Sequence, residues 1–413
     1  MTATRAAPDG IGSRAHSLSH QHPHPFSDRS ATMSSTPPRI AIVGGGPGGL
    51  VCARTLQRHG IPVTVFEREA TAGARSQGGT LDIREDTGQV GLRAAGLFDQ
   101  FLALSRPDGQ EMRLMDRSAT VLHHHRPEPG DTGAPEIDRG HLRTLLLDSL
   151  APGTVRWDHP VEKTVPLPDG TVRLEFARHA AEEFDLVIGA DGAWSRVRRA
   201  LSDAQPTYSG AAFVEVCFND VDRRFPAIAE QVGQGMMWAK AGHRNLIAQR
   251  NADSRIRVYI GFRAPLDWHE GIDFADTEAV RARLLDRYAG FDESLLGLMR
   301  HNDGAFKNHP VFVLPVPHTW NRVPGITLLG DAAHLMPPVG VGANLAMLDG
   351  AELAQCVIGR PSIDEAVAAY ESIMVPRSTE QAAMGGAILA ALMPETDSTE
   401  AGFPGFLTGD EGA

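Results

Sequence analysis

Ile40-Ala41-Ile42-Val43 is an unbroken apolar run of the kind that forms a buried parallel strand, and it leads straight into Gly44-Gly45-Gly46-Pro47-Gly48-Gly49. Leu50 to His59 then follows a helical pattern closed by Gly60 at the C-cap, and Val63-Thr64-Val65-Phe66 is a second strand ending at Glu67. Strand, glycine turn, helix and strand make a βαβ unit. Within it, Gly44-x-Gly46-x-x-Gly49 supplies what a dinucleotide needs. Gly44 permits the tight turn, Gly46 lets a pyrophosphate approach the backbone, and Gly49 lets helix pack closely on strand. Free N–H groups and the helix dipole attract the diphosphate. Glu67 follows Gly44 by 23 residues, near the ~20 expected of an acid that binds ribose hydroxyls. The spacing predicts dinucleotide binding rather than a bare glycine turn, but it does not choose between FAD and NAD.

Two later segments repeat the step from strand to turn. Phe184 to Ala190 reads as a buried strand entering Asp191-Gly192-Ala193-Trp194-Ser195-Arg196-Val197-Arg198, and Gly325 to Leu329 as another entering Gly330-Asp331-Ala332-Ala333-His334. Pro337, Pro338, Gly340, Gly342, Ala343 and Asn344 then form a loop that opens a helix expected from about Asn344 to Ile358, with a last helix from Ile363 to Leu392. A carboxylate at a strand's C-terminal end, such as Asp331, suits the crevice where open α/β sheets bind ligands; a helix N-cap is the alternative. Asp138 to Leu150 reads as an amphipathic helix and Phe274 to Arg300 as helical, whereas about Thr207 to Leu266 alternates as antiparallel strands do.

In this order, from about Arg39 to Arg377, the segments resemble the FAD-dependent aromatic hydroxylases among the flavoprotein monooxygenases. Within that group the chain looks most similar to the tetracycline-inactivating flavin monooxygenases. The likeness rests on Glu67-Arg68, on Arg75 followed by Gly78-Gly79-Thr80-Leu81-Asp82, on Pro135-Glu136-Ile137-Asp138-Arg139 with Leu142, and on Gly330 through Pro338. It implies an α/β protein: a Rossmann-like, glutathione-reductase-type FAD-binding domain, a β-sheet substrate-binding subdomain and a C-terminal helix. It also implies that Glu67 and Arg68 hold the adenosine end, Asp82 and Arg139 contact FAD, Asp331 binds the ribityl chain and Arg75 serves NADPH. Asp191, Gly192, Pro338, Gly340, Gly342, Ala343 and Asn344 complete the expected cofactor set. The implied activity is an NADPH-consuming monooxygenase that passes one oxygen of O2, through a flavin C4a-hydroperoxide, to an aromatic or polyketide-like molecule, with tetracycline-type antibiotics among the candidates. The flavin performs that chemistry, so no side chain is expected to be catalytic. By rough position Glu215, Met236, Met237, Trp238 and Tyr259, with Pro337, are candidate contacts for a planar substrate, and plain sheet core is the alternative for each.

The expected divisions are a disordered tail over 1–38, an FAD-binding domain from 39–97, 116–206 and 302–360, a substrate-binding domain from 98–115 and 207–301, a C-terminal helix over 361–395 and a tail over 396–413. His123-His124-His125 is expected in an exposed loop. The 39 basic residues against 51 acidic ones, a net charge of −12, argue against a nucleic-acid binder. No run approaches a membrane span, and the three cysteines are too scattered for a metal or disulfide framework. The expectation is a cytoplasmic monomer without metal. Two rivals stand beside the monooxygenase. A flavoprotein that sequesters a ligand without turning it over would carry the same motifs. A flavin halogenase would need a lysine soon after the first βαβ unit and a Trp-x-Trp pair; Lys163 comes too late and the tryptophans are isolated.

Overall fold

The apolar run Ile40–Val43 is the central strand of a five-stranded parallel sheet. Across that sheet the order is Ile326–Leu328, Leu186–Gly189, Ile40–Val43, Val63–Phe66 and Val155–Arg156. All three strand-to-turn segments therefore end side by side at the carboxyl edge, which is where such sheets bind ligands. The computed structural model describes residues 37–74, 77–397 and 402–404. Helices Pro47–Arg58, Gly88–Ala95 and Gly342–Gly359 cover the sheet and share its core with Phe66, Leu92, Phe101, Met347 and Tyr370.

A second, seven-stranded sheet runs Lys307–Val313, Thr207–Phe218, Arg255–Arg263, Arg244–Asn251, Met236–Ala241, Met112–Asp116 and Val121–His125. The alternation read from sequence is realised in its register: Val214 pairs with Ile260, Val216 with Val258 and Phe218 with Ile256. All six face a core under helices Pro226–Val232, Thr277–Arg287 and Glu293–Arg300, so the intervening residues face the other way, toward the parallel-sheet body. Gly79 shows the contact, since a side chain there would meet Tyr259, Arg257 and Gln249.

Four expectations change. Residues 123–125 form an edge strand; with His and Leu exposed on both faces it lacks the apolar alternation that marks a strand. Phe274 to Arg300 is two helices, parted where Gly290 takes φ +88° and Asp292 caps Ser294. Phe184 to Ala190 splits between two sheets at Asp185, whose carboxylate accepts the Arg39 N–H at 2.7 Å. The strands at 121–125 and 307–313 join the outer sheet, while Phe98–Leu104 packs into the inner core, so the sheet boundaries differ from the expected division.

The 30-residue helix Ile363–Leu392, about 45 Å long, joins the two bodies. Tyr370 and Met374 lie in the inner core, and Leu389 packs with Ala211 and Val311 of the outer sheet.

Candidate cofactor and substrate site

The glycine turn is built for close backbone approach. Gly44 has φ +110°, and a Cβ there would sit 2.2 Å from the Ala190 carbonyl oxygen; at Gly49 it would sit 2.5 Å from the Gly44 carbonyl oxygen. Gly46 has nothing within 4 Å of a Cβ position, and no side chain caps helix Pro47–Arg58 above it. Its first-turn N–H groups are thus offered to an anion. Glu67 is fixed beside this turn, its carboxylate accepting the Gly45 N–H at 2.8 Å and the Glu69 N–H at 3.0 Å. Arg68 is exposed next to it, and Arg75 lies outside the described residues. The sequence reading missed Arg143. Buried between Leu142 and Leu146, its guanidinium donates to the Gly45 and Ala72 carbonyls at 3.3 and 2.8 Å and to Glu69 at 3.0 Å. An arginine on the apolar face of a helix was the available signal.

The two motif segments Gly78 to Asp82 and Pro135 to Arg139 meet as a two-stranded ribbon, Thr80–Asp82 against Glu136–Asp138. Thr80 and Asp82 share one face with Asp138 and Glu136, the residues directly opposite them. Asn344 ties this ribbon to the helix Gly342–Gly359: its amide donates to the Asp82 carbonyl at 2.8 Å, and its oxygen accepts the Arg84 N–H at 3.0 Å. Gly340, at φ +91°, passes Arg84 so closely that a Cβ would lie 3.2 Å from the guanidinium. Arg139 is exposed at the ribbon's end, with its N–H on the Gly79 carbonyl at 3.0 Å.

Burial raises the Asp82 carboxyl against the pull of Arg84, 2.8 Å away. Glu136 goes further. Burial pushes it from the usual 4.5 up to about 7, opposed by the Thr80 hydroxyl, which donates to it, and reinforced by Asp82. A folded-state value above the unfolded one means stability is complete below about 4.5 and declines until about 7. Glu136→Gln is expected to abolish a loss on the order of 3 kcal/mol across that interval, measured as urea unfolding at pH 4.5 and 7.5; an unchanged pH dependence would refute the assignment.

At the other two strand ends, Asp191 accepts the Arg196 and Val197 N–H groups at 2.6 and 3.3 Å, and Gly192 takes φ +76° with open space above it. Burial raises the Asp191 carboxyl. Gly330, not Asp331, occupies the N-cap position of the turn Asp331–His334. The Asp331 side chain is exposed and accepts no hydrogen bond among the described residues, and a Cβ on Gly342 would lie 3.9 Å from its Oδ1. Pro338 is exposed on the same loop and Ala343 half-buried. Arg198 holds the two segments together, donating to the Ala193 carbonyl at 2.6 Å and the Ala332 carbonyl at 3.0 Å. An uncapped helix N-terminus above an open glycine, with a carboxylate left free at a neighbouring strand end, suits a dinucleotide's diphosphate and polyol.

The family model described as an FAD binding domain matches residues 38–360. The chain belongs to this FAD-dependent monooxygenase family. It is 31% identical over 402 residues to the monooxygenase PenA of Penicillium thymicola, covering 82% of this chain and 92% of that one. Among solved structures it shares its fold with Klebsiella pneumoniae HpxO complexed with FAD and uric acid, with a TM-score of 0.74, 21% identity and coverage of 86% and 89%. The tetracycline destructase Tet(51) gives 0.65 and 21%, covering 87% of this chain and 93% of that one.

In this monooxygenase the candidate substrate residues divide by strand parity. Tyr259, Trp238 and Glu215 lie on the outer sheet's inward face, whereas Met237 does not: it is fully buried in the core beneath the opposite face, and its neighbour Met236 takes the inward position. A one-residue slip reverses the face of a strand side chain. Burial pushes the Tyr259 phenol up to about 12, so it stays a neutral donor beside Gly79. The Trp238 indole donates to Asn245 at 2.9 Å, and Phe403 meets its ring edge-on at 5.7 Å. Glu215 is committed elsewhere, ion-paired with Arg257 and within 3.3 Å of His309. Pro337 is buried facing Gly385 of the last helix.

Proposed function

We propose that this FAD-dependent monooxygenase uses NADPH and O2 to oxygenate a planar, electron-rich aromatic or polyketide-like molecule, tetracycline-type compounds included. The observation that carries the reading is one juxtaposition. The ribbon Thr80–Asp82, tied by Asn344 to the glycine loop, runs directly beneath Tyr259 on the outer sheet. Bound FAD supplies hydride acceptance and oxygen activation.

The chain's own residues supply placement. The open backbone at Gly46 and the helix above it receive the diphosphate, with Glu67 on the ribose and Arg68 at the adenosine end. Asp331 takes the ribityl hydroxyls, and the N-terminus of Gly342–Gly359 faces negative charge on the flavin's pyrimidine side. Asp82 and Arg139 contact the same group, Trp238 and Met236 offer flat apolar surface, and the Tyr259 hydroxyl offers a donor to a substrate oxygen. The bridging helix Ile363–Leu392 keeps the outer sheet over the crevice and limits water entry.

The test is NADPH oxidation by the purified yellow protein against tetracyclines, anthracyclines, phenols and polyketides, with mass spectrometry of products. The expected result is oxidation stimulated by one class and a product heavier by one oxygen atom. Tight binding without any product would leave sequestration as the function. NADH in place of NADPH tests the choice of donor.

A further inference from the structure

The cations on the inward face of the outer sheet come with partners. Arg255 is ion-paired with Asp138 and Asp253, Arg257 and Lys307 with Glu215, and Arg263 donates to the Met393 and Ser209 carbonyls. Lys240 breaks this pattern. It shares the inward face of strand Met236–Ala241 with Met236 and Trp238, because Met237, Ala239 and Ala241 fill the core on the other side. It is only 3% exposed, yet its Nζ makes no hydrogen bond or ion pair among the described residues.

The polar groups beside it in the sheet are engaged elsewhere. Asn245, directly opposite in the register, accepts the Trp238 indole N–H at 2.9 Å and donates to the Leu392 and His243 carbonyls at 3.2 and 3.3 Å. Asp116, alongside on the neighbouring strand, accepts the Ser118 and Thr120 N–H groups of its own turn at 2.8 and 2.9 Å, and no ion pair joins it to Lys240. Burial draws the amine below the usual lysine range, and no carboxylate opposes that pull. Buried charges in proteins are paired, so an amine held here without a counter-ion weakens the fold that carries it. Trp238 lies two residues away on the same face, about 7 Å along the strand, half-buried and with Phe403 edge-on to its ring. An unpaired cation and a flat apolar surface thus stand side by side on the wall that looks toward the parallel-sheet body.

We propose that Lys240 binds a negatively charged oxygen of the substrate, a carboxylate or an ionised phenol or enol, while the planar ring lies against Trp238. The inference rests on the substrate face proposed above and narrows it to acidic planar molecules. The anionic oxygen supplies the counter-ion that the fold withholds, in surroundings of low dielectric where such a pair is strong. A neutral molecule of the same shape leaves the amine unpaired and forgoes that gain.

The test titrates the flavin-loaded enzyme by calorimetry with 2-naphthoate against 2-naphthamide, its uncharged counterpart, and with 4-nitrophenolate against 4-nitroaniline. The wild type is expected to hold the anion of at least one pair about tenfold more tightly. The pair with the larger preference names the oxygen, carboxylate or ionised phenol. Lys240→Met is expected to bind both members of that pair alike, with FAD content unchanged. A second readout separates ligand binding from architecture. Methionine has nearly the length of lysine and needs no counter-ion, so the urea midpoint of the flavin-free variant is expected at or above that of the wild type. A clear fall in that midpoint, a wild type without preference for either anion, or a variant that keeps the preference would each overturn the assignment. A wild type that oxygenates a neutral compound and shows no anion preference sinks the lysine alone. An anion preference lost in Lys240→Met, in a protein that oxygenates none of the compounds named above, sinks the proposed substrate class and leaves the lysine site standing.

Discussion

Asp331→Ala is expected to yield a folded protein that purifies colourless. The side chain is exposed and accepts no hydrogen bond among the described residues, so removing it breaks none and takes from the fold only an attraction for His334 and Arg198. In the flavin complex the same carboxylate would accept charge-assisted hydrogen bonds from ribityl hydroxyls, in a crevice that also presents the Gly342 helix end. Losing two such bonds corresponds to about two orders of magnitude in FAD affinity. The check is flavin absorbance per protein, together with the unfolding midpoint of flavin-free wild type and variant. Equal midpoints with lost colour are expected; full yellow occupancy would remove Asp331 from the cofactor site.

Asp349→Ala should act in the opposite way, through the fold. Asp349 is fully buried, and its carboxylate accepts the Gly330 N–H at 3.0 Å, pairs with His334 at 2.6 Å and receives Arg377 of the last helix at 2.8 Å. Burial works against ionisation, but His334 and Arg377 outweigh it and hold the Asp349 carboxyl below the usual range. Burial likewise works against a charged His334, and Asp349 raises it all the same. Alanine leaves the Gly330 N–H and the His334 ring without their buried acceptor and Arg377 with Glu352 alone, which costs on the order of 3 kcal/mol.

The pH signature follows from the shifts. The His334 contribution is complete below its unfolded value of about 6.5 and is lost as pH rises through the raised folded value. The Asp349 contribution is present above its unfolded value and is lost as pH falls through the lowered one. Asp349→Asn is therefore expected to flatten the alkaline decline in stability as well as lower its level. Urea unfolding of the flavin-free proteins from pH 5 to 9 measures both. A loss under about 1 kcal/mol, the scale of a surface pair, would show that the cluster does not bind the last helix to the Gly330 turn.

Legibility in the sequence tracked how local each signal was. The βαβ unit was readable because strand, turn, helix and Glu67 are consecutive, and Gly44 and Gly49 carry their reason in close backbone contacts. Val214, Val216 and Phe218 announced a strand by alternation, and the register confirms their common face. Which face met the cofactor crevice was not local information. That is why Met237 stood among the candidate contacts while its neighbour Met236 holds the inward position. Arg143 showed itself only as an arginine on an apolar helix face and Arg198 only as the last residue of its motif, because the Gly45 and Ala332 carbonyls that they satisfy lie far along the chain. The pairing of Thr80–Asp82 with Glu136–Asp138 likewise exists only in the fold.

The parallel sheet draws its strands from residues 40–43, 63–66, 155–156, 186–189 and 326–328, so the crevice is completed only when the most distant of them is in place. No contiguous fragment can inherit it as a module. The three adjacent outer strands Met236–Ala241, Arg244–Asn251 and Arg255–Arg263 form, by contrast, one unbroken meander that recombination could exchange whole. Under the function proposed above, evolution of a chain built this way retunes what is oxidised by trading that meander, while the parallel sheet that holds the cofactor descends intact.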